Sequence, residues 1–232
     1  MTNDARSYYP DPVAGRVRSV RIPAGGFNLD GDLGMPQDAK GIVLFAHGSG
    51  SSRRSPRNRY VAAVLQQGGL GTLRLDLLTE AEEQVDLRTR HLRFDIGLLA
   101  GRLVEATDWL RREPATRELP LGCFGASTGA AAALVAAAER PEIMRAVVSR
   151  GGRPDLSGAA LGRVRAPALL IVGAADTDVL ALNREAMAQL RCAKRLDIVP
   201  GATHLFEEAG ALEQVASLAR EWFAAHFEEV RR

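Results

Sequence analysis

Cysteine is scarce: the 232 residues hold two, Cys123 and Cys192. That is too few for a disulfide framework, and the pair lacks the spacing of a zinc site, so no metal is expected and a reducing compartment is the simpler home. Long apolar runs are missing too. Nothing approaches the ~20 apolar residues of a membrane helix, and Met1 to Pro12 is acidic and polar with no apolar core, unlike a signal peptide or anchor. A cytoplasmic protein with no membrane partner is expected. No charge of one sign dominates: 30 Lys plus Arg stand against 28 Asp plus Glu, net +2. No basic stretch carries interleaved aromatics, so no nucleic-acid partner is expected. Arg53, Arg54, Arg57 and Arg59 make the one basic cluster, read as a solvated loop and helix start, with an anionic substrate group as the alternative. Internal repeats and low-complexity linkers are lacking as well. With 46% apolar and 25% charged residues, the reading is one globular domain over 1–232.

What the chain does contain is alternation. Residues 16–22 and 27–33 alternate apolar and polar positions and read as two antiparallel strands at a sheet edge, with Asp30-Gly31 as a place for a bend or bulge. Residues 41–46 (Gly-Ile-Val-Leu-Phe-Ala) show no polar alternation, as in a strand buried on both faces. From there apolar strands (about 71–76, 119–124, 143–149, 168–172 and 195–199) take turns with helices (about 58–67, 92–112, 127–138, 182–190 and 211–227). That order predicts an α/β protein, a mostly parallel central sheet with helices on both faces. The connection after Ser149 has no room for an inserted helical lid. The segment from Leu77 to Arg90 is expected as a long loop, a partial cover over a mostly open site.

Gly125-Ala126-Ser127-Thr128-Gly129 lies between a buried strand and an alanine-rich helix. Glycines without Cβ let the two backbones close around a sharp turn that pushes the serine oxygen above the sheet. The alternative is a plain helix cap. A serine hydroxyl needs a base, normally a histidine held by a carboxylate. Of the four histidines, His226 reads as packing or surface, His91 as a cap or solvent-facing residue, and His47 as a brace for its own loop. His204 follows the last strand at the carboxyl edge of the sheet, where open α/β folds place their sites. Asp176, just beyond the strand 168–172, is the preferred acid. Asp178 is the second candidate and suits a helix cap; Asp76 is an outside alternative, otherwise a loop anchor. For the oxyanion, the backbone N–H of Thr128 follows the nucleophile, and that of Ser49 in His47-Gly48-Ser49-Gly50 comes from the loop after the first central strand. Arg150 and Arg153 either bind an acidic substrate or pair with Asp155, the latter preferred.

Together with Gly173-Ala174-Ala175-Asp176-Thr177-Asp178-Val179 and Gly201-Ala202-Thr203-His204, these segments resemble the α/β-hydrolase superfamily over almost the whole chain. The compact layout looks like its dienelactone-hydrolase-like branch, which includes hydrolase modules that occur alone or fused to phosphoribosyltransferase domains. In dienelactone hydrolases proper the nucleophile is a cysteine; here Ser127 stands in that place. The resemblance implies a hydrolase without a large lid domain, needing no cofactor, that takes a small ester or related acyl substrate, with Ser127, His204 and Asp176 as its triad. A partner enzyme is a further implication, although no phosphoribosyltransferase motif is present in this chain. Two other classes stay open: an acyltransferase with the same triad, and a catalytically silent binding module. Oligomeric state is not legible.

Overall fold

A computed structural model describes residues 17–228. The strands are β1 (Val17–Ala24), β2 (Phe27–Gly34), β3 (Ile42–Ala46), β4 (Gly71–Leu75), β5 (Leu121–Ala126), β6 (Met144–Arg150), β7 (Ala168–Gly173) and β8 (Lys194–Val199). The α-helices are α1 (Pro56–Gln67), α2 (Glu80–Thr89), α3 (Ile96–Arg112), α4 (Thr128–Glu139), α5 (Thr177–Gln189) and α6 (Ala211–Glu228). The strands form one eight-stranded sheet in the order β1-β2-β4-β3-β5-β6-β7-β8. β1 and β2 pair antiparallel, as does β2 with β4; every pairing from β4 through β3 to β8 is parallel. The parallel strands β3 to β7 are buried along their length except at Arg145 near the start of β6, as strands sandwiched between helix layers must be.

Each face of the sheet has its own core. On one, Leu44, Cys123 and Leu170 pack with Leu99, Leu103 and the alanines of α4. On the other, Phe45 and Phe124, ring centroids 5.0 Å apart, pack with Phe223 and Phe227 of α6 and Leu65 of α1. The alanines from Ala130 to Ala133 and from Ala136 to Ala138 are buried. Their short side chains let α4 sit close under the sheet, which brings its amino end up to the strand tips.

Four expectations are revised. The register β1 to β2 runs without interruption through Val20 opposite Gly31, so Asp30-Gly31 makes no bend; a Cβ at 31 would stand 3.2 Å from both Leu73 and Val20 side-chain carbons, and the glycine serves close packing. The segment Leu77 to Arg90 is not a loop: it contains α2, begun by a capping box in which Thr79 accepts from the Glu82 N–H and Glu82 from the Thr79 N–H. The long helix expected over 92–112 is broken. A 3-10 turn, Leu92–Phe94, precedes α3, whose start is set by the Asp95 carboxylate accepting from the Leu98 N–H at 2.9 Å. Arg53 is not solvated, as described below. Between β6 and β7 the chain makes two short 3-10 turns across a kink at Gly158 within Pro154–Arg163, and no lid domain.

Candidate active site

Ser127 joins β5 to α4 at φ 50°, ψ −120°, a backbone conformation that non-glycine residues adopt only at a cost of about 1–3 kcal/mol. The surroundings hold it there. Its N–H donates to the Arg150 carbonyl at 3.2 Å, and its own carbonyl accepts from Ala130 and Arg153, each at 3.1 Å. A Cβ on Gly125 would lie 2.4 Å from Cα of Ala130, and one on Gly129 would lie 2.4 Å from the His47 carbonyl oxygen. Both neighbours are backbone and cannot step aside. The Ser127 side chain makes no cap bond to α4, so the plain-cap alternative does not describe it. Gly129→Ala is expected to lower unfolding free energy by about 2–3 kcal/mol through overpacking, measured by urea denaturation.

Asp176 and His204 are brought together by the two loops beyond β7 and β8. The Ala175 N–H donates to the Ala202 carbonyl at 2.9 Å, and Gly173 allows that approach, since a Cβ there would sit 2.2 Å from the same oxygen. His204 Nδ1 lies 2.7 Å from Asp176 Oδ2. A carboxylate can only accept, so Nδ1 carries the proton and Nε2 presents its lone pair. Asp176 occupies the N-cap position of α5 with no side-chain bond to that helix, and Asp178 lies in its first turn. The carboxylate that capping would claim is given to the imidazole instead. Ser127 and His204 line one cleft of about 210 Å³ with Ser49, Arg57 and Arg150.

The loop between β3 and α1 passes beside the serine: a Cβ on Gly48 would lie 3.1 Å from Ser127 Cβ. Its brace is His47, as expected. Nε2 accepts from the Leu77 N–H at 3.0 Å, and Nδ1, which therefore bears the proton, donates to the Gly48 carbonyl at 2.9 Å. Burial holds this imidazole's pKa below its ordinary value, so it braces as a neutral ring. Asp76 proves to be the loop anchor. Its carboxylate accepts from the Arg53 N–H at 2.7 Å and from the Arg53 guanidinium, while Arg74 donates to the Arg53 carbonyl at 3.0 Å. Ser49 and Thr128 stand on this loop and at the first position of α4; Thr128's N–H has no intrahelical acceptor to meet.

The other candidates sort as follows. Arg153 pairs with Asp155 through two bonds of 2.9 and 2.7 Å, whereas Arg150 is buried in the cleft wall with its guanidinium 5.9 Å from the Phe206 ring. Arg57 pairs with Glu207 at 3.1 Å. His91 bonds Thr89 at the surface, and His226 packs on Trp222. Cys123 is fully buried, which pushes its thiol pKa up and leaves it inert. Among the described residues no group of three metal-binding side chains converges, and no helix is long and apolar enough to cross a membrane.

Sequence reasoning missed Asp86 and Arg93. Asp86 is the sole buried residue of α2 and takes the Arg93 N–H at 3.1 Å and Nε at 2.5 Å. Burial opposes its ionisation, but the bonds from Arg93 outweigh that and hold the pKa below the usual carboxylate value. A carboxyl with a depressed folded-state pKa contributes stability that is present above its unfolded pKa and lost as pH falls through the folded one. Asp86→Asn should therefore lower Tm by several degrees at pH 7, with the gap to the parent closing on acidification below about pH 4; thermal melts across pH measure this.

An eight-stranded, mostly parallel sheet in this order, flanked by helices, with a serine on the elbow after β5, is the α/β-hydrolase fold. The model of the Dienelactone hydrolase family matches residues 61–229, and a crystal structure of a dienelactone hydrolase from Anabaena variabilis is 64% identical, TM-score 0.90, over 91% of this chain and 98% of that one. The chain belongs to the dienelactone hydrolase family. Two curated relatives, from Mycobacterium tuberculosis strains CDC 1551 and H37Rv and named "Putative phosphoribosyl transferase", are each 57% identical over 211 residues, 91% of this chain but 47% of theirs. The chain thus spans about half the length of these relatives. Est1E of Butyrivibrio proteoclasticus, at 16% identity and TM-score 0.75 over 90% of this chain and 99% of that one, shares the fold.

Proposed function

We propose that this chain is a cofactor-independent serine hydrolase that cleaves a small carboxylic ester or related acyl substrate through an acyl-enzyme on Ser127. His204 Nε2 takes the hydroxyl proton as Oγ attacks the carbonyl carbon, and Asp176 stabilises the imidazolium. The N–H groups of Ser49 and Thr128 receive the oxyanion. The tetrahedral adduct then expels the alcohol, protonated by His204, and water repeats the sequence to release the acid. The observation that carries this reading is the His204–Asp176 bond of 2.7 Å together with a serine held at φ 50°, with His204 and Ser127 lining one cleft. The phosphoribosyl transfer in the mycobacterial relatives' name is assigned, in this proposal, to the half of them that this chain does not span.

Incubation of the folded protein with a fluorophosphonate, followed by peptide mapping, tests the reading. Stoichiometric labelling at Ser127 and turnover of p-nitrophenyl acetate are expected. Folded protein that is unlabelled and turns over no p-nitrophenyl ester overturns it.

A further inference from the structure

A second cavity, of about 150 Å³, lies on the far side of the loop that carries Ser49. Its walls include Gly48, Ser49 and Thr128, and so both groups assigned to the oxyanion; Leu77, Leu78, Leu87 and Leu99 supply its apolar surface. His204 and Ser127 are absent from it and line the other cleft. That division has a chemical meaning. His204 must reach the leaving-group oxygen to protonate it, so the alcohol half of an ester has to lie on the His204 side. With the carbonyl oxygen between the Ser49 and Thr128 N–H groups, the acyl chain is directed the other way, into the second cavity.

We infer that the cavity between α2 and the Ser49 loop is the acyl subsite, shaped for an uncharged apolar chain of up to about six carbons, with α2 as its cover. The inference rests on the hydrolase reading above. The size follows from volume: about 150 Å³ is room for a ligand about the size of benzene. The charge preference follows from the walls: Asp76 is matched by Arg53 and Asp86 by Arg93, so the carboxylate of Glu83 sets the sign of the charge left over at the cavity. A substrate carboxylate would meet like charge there.

The cover is read from how α2 is attached. Its apolar residues Val85 and Leu87 are 39% and 59% exposed, and it is tied down by polar links, Asp86 to Arg93 and Glu82 to Arg102 at 2.7 Å. A helix with so little buried apolar surface belongs to the low-stability end of a fold. Arg93 also abuts the Ser49 loop, since a Cβ on Gly50 would stand 3.1 Å from its Nη1, so the tie that closes the cover also touches the wall of the subsite.

The test is kcat/KM for the p-nitrophenyl esters of acetate, butyrate, hexanoate and decanoate, and for the mono-p-nitrophenyl ester of succinic acid. Burial of a methylene favours binding about fourfold, so butyrate should exceed acetate by at least about tenfold, hexanoate should be best, and decanoate should fall. The succinyl ester should lie at least about tenfold below butyrate. Leu78→Trp, which fills the cavity from its wall, should lower the hexanoate-to-acetate ratio about tenfold or more, and Leu87→Trp, placed on the cover, gives the same readout should the first variant not fold. A flat chain-length profile, or ratios that neither variant moves, in protein whose Ser127 is labelled and which turns over acetate, overturns the subsite and leaves the hydrolase standing. Loss of labelling and of all turnover overturns the hydrolase reading and this inference with it.

Discussion

Replacement of Ser127 by alanine should reduce turnover of p-nitrophenyl acetate by about 10⁴- to 10⁶-fold and abolish fluorophosphonate labelling. The loss is expected to be clean. Because the side chain makes no cap bond to α4, removing its oxygen takes no support from the fold, and alanine accepts the same backbone angles at similar cost. Tm should stay within a few degrees, which separates a chemical effect from an unfolded protein. The N–H groups of Ser49 and Thr128 are backbone and survive the change, so residual catalysis above the uncatalysed rate is expected from oxyanion binding alone. In the proposed mechanism nucleophile and base act as one unit, so adding His204→Ala to Ser127→Ala should cost almost nothing further.

Asp176→Asn should lower kcat by about 10⁴-fold, with Asp178→Asn changing it less than about threefold. The asymmetry comes from hydrogen-bond polarity. The carboxylate at 176 lies 2.7 Å from His204 Nδ1 and can only accept from it. An amide at the same place can donate, and a donor facing Nδ1 forces the ring proton onto Nε2, where it blocks acceptance from Ser127. Asp178, in the first turn of α5, offers that helix a favourable charge worth about 0.3–1 kcal/mol, a small stability effect with no route to the imidazole. Parallel kinetics and melts on the two variants check the assignment. Comparable losses of kcat in both would count against it.

The framework of this fold was legible because its signals are local. Unbroken apolar runs such as Ile42–Ala46 and Ala168–Gly173 announce strands buried on both faces, and the places where they stop announce the sheet edge on which Ser127, Asp176 and His204 stand. The missed features are those whose cause lies far off in sequence or outside periodicity. α2 presents no apolar stripe, its one buried residue being Asp86; the signal that would have found it is Thr79-Glu80-Ala81-Glu82, a capping box written in four residues. Arg53 read as solvated because its partner Asp76 lies 23 residues away. Asp95 was hidden inside an apolar stripe, and only its bond to Leu98 shows that one helix ends and another begins there. The pairing of His204 with Asp176 was expected from the ends of their strands, and the contact itself comes from two loops meeting.

Gly173 has a consequence for any effort to redesign this protein. Its missing side chain lets the ends of β7 and β8 interlock at the Ala202 carbonyl, so Asp176 and His204, the pair proposed as the proton relay, are held together by the joined loops. Extra residues spliced into either of those two loops would pry that pair apart, whereas the stretch from Thr79 to Arg90, anchored by a few polar ties, could be exchanged for a longer or differently furnished segment. Diversity in what this scaffold accepts is therefore best sought by grafting there, with the relay left untouched.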